Sequence, residues 1–179
     1  MNQFKSLVYG FVTVGITSFS LSAVILSNPE ASWANSTKFK CEKKGKNDYI
    51  TYAVNTDGRR TPMIRWNSDY FSPEWKPEKR CSDVSRRFQR GYDNGTLRTI
   101  ITGKINGYPV VCGVPSTSDT CNRNNMLFTL KRGANAKQAV EKLLDRRALS
   151  AGKIQNQSSD DTEIHLDFDI YLNNLSPEP

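Results

Sequence analysis

Residues 97–112 read LRTIITGKINGYPVVC, and this stretch decides the kind of fold. Two runs rich in β-branched residues, 97–102 and 108–112, flank Asn106-Gly107. Asparagine followed by glycine tolerates the positive φ angles of a two-residue turn whose twist matches paired strands, so an antiparallel hairpin is predicted here. On its N-terminal side, 37–41 alternates and 49–54 (YITYAV) is aromatic and β-branched. The turn residues Asn55-Thr56-Asp57-Gly58 then separate 49–54 from 61–66. That pattern predicts a three-stranded meander. Pro73 and Pro77 interrupt 71–77. Beyond them Cys81, Val84 and Phe88 recur at i, i+3 and i+7, which predicts a helix closed by Gly91 or Gly95.

On the C-terminal side, 112–121 is rich in turn residues and reads as a loop, and 126–130 (MLFTL) as a short buried strand. Asn135 with Gln138 three residues on predicts a capped helix, with Ala136, Val140, Leu143, Leu144 and Ala148 as its apolar stripe and Gly152 as its stop. Residues 155–161 form a polar linker. Residues 163–172 then alternate strictly, with Ile164, Leu166, Phe168 and Ile170 on one side and His165, Asp167, Asp169 and Tyr171 on the other. This predicts a last strand, followed by a loose tail through Pro179. The expected class is α+β: a mainly antiparallel sheet with two amphipathic helices and two disulfides.

The chain has 179 residues, a length that suits one domain. Residues 7–26 carry no charge and follow Lys5, and Ser32 and Ala34 have the small side chains of a signal-peptidase site. Residues 1–34 therefore read as a signal peptide, the alternative being an uncleaved N-terminal anchor. Residues 35–153 form a basic α+β domain, and 154–179 an acidic linker, last strand and tail. Cys41, Cys81, Cys112 and Cys121 all lie behind the leader, and an even count in an exported chain reads as two disulfides. Three connectivities are open. Cys112–Cys121 as a local staple, with Cys41–Cys81, is preferred. No pair has C-x-x-C spacing and His165 lies far off in sequence, so a structural zinc site has little support; the cofactor expectation is none.

Charge divides along the chain. Residues 36–153 hold 24 Lys+Arg and 11 Asp+Glu (+13), whereas 154–179 hold 6 acids and no Lys or Arg (−6). A basic body either meets a polyanion or is neutralised by the acidic segment. On the predicted helix Arg86, Arg87 and Arg90 point the same way or nearly so and form a candidate anion- or membrane-binding face, set against the reading of an ordinary wet helix face. Lys43, Lys44, Lys46, Arg59 and Arg60 extend it if the strand ends meet it. Without a nucleic-acid motif, an anionic membrane surface is the better partner.

Other candidates are fewer. Trp66, Tyr70, Phe71 and Trp75 fall within ten residues. Trp66 and Trp75 are a possible ligand ledge, with core packing as the plainer reading. His165, Asp167 and Asp169, with Glu163, share one side of the predicted last strand and are the candidates for a metal. A solvated edge is the alternative. No G-x-S-x-G or H-E-x-x-H occurs. The catalytic set expected is therefore none.

The segments FKCEKK (39–44), MIRW (63–66), YFSPEWKPEKRCSDVSRRFQ (70–89), LRTIITGKINGYPVVC (97–112) and MLFTLKRGANA (126–136), in this order, resemble the circadian-oscillating polypeptide family of cyanobacteria. The likeness covers about residues 39–150. It is carried mainly by Trp75-x-Pro77, Arg80-Cys81, Val84-Ser85-x-Arg87-Phe88 and the Asn106-Gly107 hairpin into Cys112. It implies an exported or membrane-peripheral protein of a photosynthetic bacterium, in periplasm or thylakoid lumen, with no settled activity. Together these readings lead to a non-catalytic binding protein associated with a membrane surface or membrane protein complex. The rivals are a secreted hydrolase using carboxylates of the last strand, and a protein that presents the 112–121 loop to a partner.

Overall fold

The first three strands are antiparallel neighbours joined by turns that the sequence specifies. In this computed structural model, which describes residues 37–144, 152 and 163–176, β1 (Lys38–Gly45), β2 (Asp48–Val54) and β3 (Arg60–Trp66) form a sheet in that order. Asn55 and Gly58 close the second turn, the Gly58 N–H donating to the Asn55 carbonyl at 3.1 Å. All described residues belong to one unit, Ser32–Pro179. The leader reading of 1–34, Ala148 and the 155–161 linker lie outside the described residues.

A 3-10 turn at Pro73–Trp75 leads into α1 (Pro77–Asp93), whose Pro77 occupies the first helical turn where its missing N–H costs nothing. Pro77, Cys81, Val84, Ser85 and Phe88 are its buried residues. The helix passes through Gly91 and stops before Gly95, which has φ +68°. Gln89 ties α1 to the edge strand: its Oε1 accepts from the Phe39 N–H at 2.8 Å.

The hairpin read from 97–112 forms as β4 (Thr99–Ile105) and β5 (Tyr108–Val114), with Asn106 at φ 51° and Gly107 at φ 77°. With β6 (Met126–Thr129) and β7 (His165–Asp167) it makes a second antiparallel sheet in the order β6-β5-β4-β7. Inner-face Ile100 and Val111 join Phe39, Trp66 and Phe88 in one core. The opposite face of this sheet buries Ile101, Val110, Cys112 and Val114. Among the described residues, no helix is long and apolar enough to cross a membrane.

Two sequence expectations change. Helix α2 (Ala136–Leu143) begins as predicted, with the Asn135 side chain accepting from the Gln138 N–H at 2.9 Å. It ends at Leu143, because Leu144 turns to an extended conformation, so Gly152 is not its stop. Gly152 is itself helical and buried, and a Cβ there would stand 2.6 Å from the Asp167 carbonyl oxygen. The predicted strand over 163–172 is cut short. Only His165–Asp167 pairs with β4, and Phe168–Asn173 forms a helix, α3. Asp167 is the reason: its carboxylate accepts from the Ile170 N–H at 2.9 Å and caps that helix. Phe168, Tyr171 and Leu172 then face the core at i, i+3 and i+4, and Ile170 is left 44% exposed.

The four cysteines pair as preferred, Cys41–Cys81 and Cys112–Cys121. The fold is α+β with two disulfides, and disulfides persist in an oxidising, exported compartment.

Candidate functional site

Local sequence sets the walls of a cleft of about 660 Å³ beside the start of α1. The proline-broken run places Tyr70, Phe71 and Trp75 along one side. Val84 and Arg87 come from α1, Met126 and Phe128 from β6, Tyr108 from β5 beside the hairpin turn, and Arg132 from the segment after β6. The aromatic cluster read from sequence is thus divided. Trp75 is 42% exposed and lines the cleft. Trp66 is 1% exposed, a core residue whose ring meets Phe128 edge-on and whose Nε1–H donates to Thr51 Oγ1 at 2.9 Å.

Cations stand over the aromatic rings around this opening. Lys131 Nζ lies 4.3 Å from the Tyr70 centroid, Lys79 Nζ 5.1 Å from Trp75, and the Arg132 guanidinium 5.3 Å from Tyr108. Such contacts draw a positive charge to the negative face of the ring. Asp83, the acid in the lining, is already held by Lys79 at 3.1 Å and by Arg86. The cleft is therefore cationic and aromatic.

Arg80 was absent from the sequence candidates. Its guanidinium packs 4.0 Å from the Phe71 centroid and 4.8 Å from that of Trp66. Burial lowers its pKa to about 10, which leaves it protonated at neutral pH. A usable signal was present: an arginine adjacent to a cysteine, close to four aromatics. An arginine between Lys79 and Cys81 nonetheless reads first as surface.

Arg86, Arg87 and Arg90 do not share one face. Adjacent helical residues are rotated by roughly 100°, and Arg87 turns inward, where its Nη1 donates to the Leu127 carbonyl at 2.9 Å. Arg86 and Arg90 remain exposed on one edge of α1. Arg87 and Arg90 also line a second, polar groove of about 460 Å³ with Asn122, Asn124 and Asn125. Lys44 and Arg60 lie over the Tyr52 ring, on the side of the first sheet facing away from α1, so they do not extend this edge.

His165 and Asp167 fall on the outer side of β7, and Asp169 belongs to α3. Asp167 caps that helix, Asp169 pairs with Arg98 at 3.0 Å, and His165 Nε2 lies 3.8 Å from Glu163. Among the described residues no group of three His, Cys, Asp or Glu could hold a metal ion.

No curated protein and no solved structure matches the chain. The family model described as "Circadian oscillating protein COP23" matches residues 38–173, which takes in β7 and α3 as well as the region carrying the resemblance. That span runs from the first strand of the fold to its last described helix. By it, this chain belongs to the circadian oscillating protein COP23 family.

Proposed function

We propose that the protein is an exported, non-catalytic binding protein that associates peripherally with an anionic membrane surface, or with a membrane protein complex, through a basic face. The observation that carries this reading is the set of exposed aromatics Tyr70, Trp75 and Tyr108, each with a Lys or Arg over its ring, together with the exposed Arg86 and Arg90 of α1. Aromatic rings with cations beside them suit the boundary between headgroups and acyl chains. The leader features of residues 1–34 support export to periplasm or thylakoid lumen. The carboxylates on which a hydrolase would rely are committed, Asp167 to a helix cap and Asp169 to Arg98.

The test is sedimentation of the full chain with phosphatidylglycerol vesicles and with phosphatidylcholine vesicles. Each surface cation contributes about 1 kcal/mol near an anionic membrane, so the pair R86E/R90E is expected to weaken binding at least about tenfold. Salt is expected to release the protein, since the screening length falls to about 3 Å at 1 M. Equal binding to both vesicle types, or no effect of the charge reversal, would overturn the reading.

A second reading has its own observation. Residues 115–120 are all exposed, yet they are closed by Cys112–Cys121 and tied internally, the Ser116 N–H donating to Asp119 at 2.9 Å. A pre-ordered loop loses little entropy on meeting a partner. Replacing 115–120 by a Gly/Ser segment is expected to abolish a protein contact made this way and to leave vesicle binding intact.

A further inference from the structure

Arg80 is half-buried at the edge of the core, and one donor of its guanidinium is left unmatched. Its Nη1 is enclosed with no hydrogen-bond partner, and no carboxylate pairs with it among the described residues. The rings of Phe71 and Trp66 attract its charge, but a ring contact satisfies none of the five directional N–H donors of a guanidinium. An enclosed N–H of a cation left without an acceptor is costly, and a fold normally supplies one. Here it borders an open cleft instead.

That cleft has the size of a small-molecule site. Val84, Met126, Phe128 and Leu130 give it apolar walls, and Tyr70 and Tyr108 give it aromatic ones. Its acid, Asp83, is neutralised by two cations, whereas Arg132 adds a further positive charge at the opening.

We infer that this cleft binds a small amphipathic oxyanion, a carboxylate or phosphate head carried on an aromatic or aliphatic body, with Arg80 as the partner of the head. Both heads present paired acceptor oxygens that match the planar donor fork of arginine. The body lies against the aromatic and apolar walls. This goes beyond surface association and needs no membrane, so either idea can fail without the other.

Calorimetric titration of the full, oxidised chain tests it. The ligands are 2-naphthoate, decanoate, phenyl phosphate and short-chain phosphatidic acid below its micelle concentration, with 2-naphthylmethanol as the uncharged match. At least one of the four anions is expected to saturate a single site with Kd under about 1 mM. The naphthyl alcohol should bind at least tenfold more weakly than naphthoate, or not at all. Binding of the first three would point to a free metabolite as the natural source; binding of phosphatidic acid alone would point to a lipid headgroup. R80M should lose at least tenfold in affinity, and R80K should fall between, because lysine keeps the charge without the fork. Ligand should also change the fluorescence of the wild-type protein, and W75F should remove most of that change, a readout that does not depend on how R80M folds. The inference is overturned if none of the four anions saturates, if the alcohol binds as tightly as naphthoate, or if folded R80M binds like wild type.

Discussion

Cys41–Cys81 spans 40 residues and joins β1 to α1 within the main core, whereas Cys112–Cys121 spans 9 and pins a loop to the outer side of the second sheet. Their surroundings differ as much as their spans. Beside the first, Thr51, Ser85 and Trp66 form a buried hydrogen-bonded group that links β2, α1 and β3. Beside the second lies Gly103, where a Cβ would stand 2.9 Å from both the Cβ and the Sγ of Cys121. The first bond fixes how a helix sits on a sheet, a relation that the whole core depends on. The second fixes the shape of one loop, and the sheet beneath it has made room for the sulfur.

Removing the two bonds should separate these roles. In the chain-entropy model, a closed loop of about 40 residues gives about 4 kcal/mol and one of about 9 gives about 2.6 kcal/mol. C41A/C81A is therefore expected to lose about 4 kcal/mol in urea denaturation. C112A/C121A should lose about 2.6 kcal/mol, and limited proteolysis should then cut it within 115–120 while the rest of the domain stays protected. A larger loss from the second pair than from the first would break the comparison.

The same contrast shows what the sequence makes legible. Local signals translated directly where one residue type has one physical use. Asn106-Gly107 made its turn because both residues tolerate positive φ, and Asn135 capped α2 because its side chain reaches the Gln138 N–H. Residues 163–172 carried two signals at once. Their alternation fits a strand, but Asp167 is also a cap, and Phe168, Tyr171 and Leu172 also have helical spacing. Periodicity does not choose between these; the cap does, because once it forms Tyr171 is brought into the core and Ile170 out of it. Rotation divides the arginine set, since Arg86 and Arg87 are neighbours in sequence and point to different surroundings. Arg80 was only weakly legible, for another reason. Its position depends on Phe71, which a proline-broken segment brings over it, and no periodic pattern describes that segment.

Gly103 gives the next largest effect and couples it to the second disulfide. G103A drives a methyl group against Cys121, and overpacking of this kind costs about 2 kcal/mol. In the C112A/C121A background the sulfur is gone and the loop can move, so the cost should fall below about 0.5 kcal/mol, a coupling that a double-mutant cycle measures directly. An unchanged cost would mean that the loop is held by contacts other than the bond.

Thr51 gives the smallest effect and the opposite coupling. Its Oγ1 accepts from the Trp66 Nε1–H at 2.9 Å and lies 3.0 Å from Ser85 Oγ, but it is 3.9 Å from Cys81 Sγ. T51V keeps the volume and strands the indole donor in the core, a loss of about 1–2 kcal/mol. Because its partners are Trp66 and Ser85 rather than sulfur, that loss should be the same with and without Cys41–Cys81. The near-ultraviolet circular dichroism of Trp66 should shift in both backgrounds by the same amount. A loss that disappears with the disulfide would show that the bond positions the network. The two covalent ties would then differ only in span, and not in how the fold around them is built.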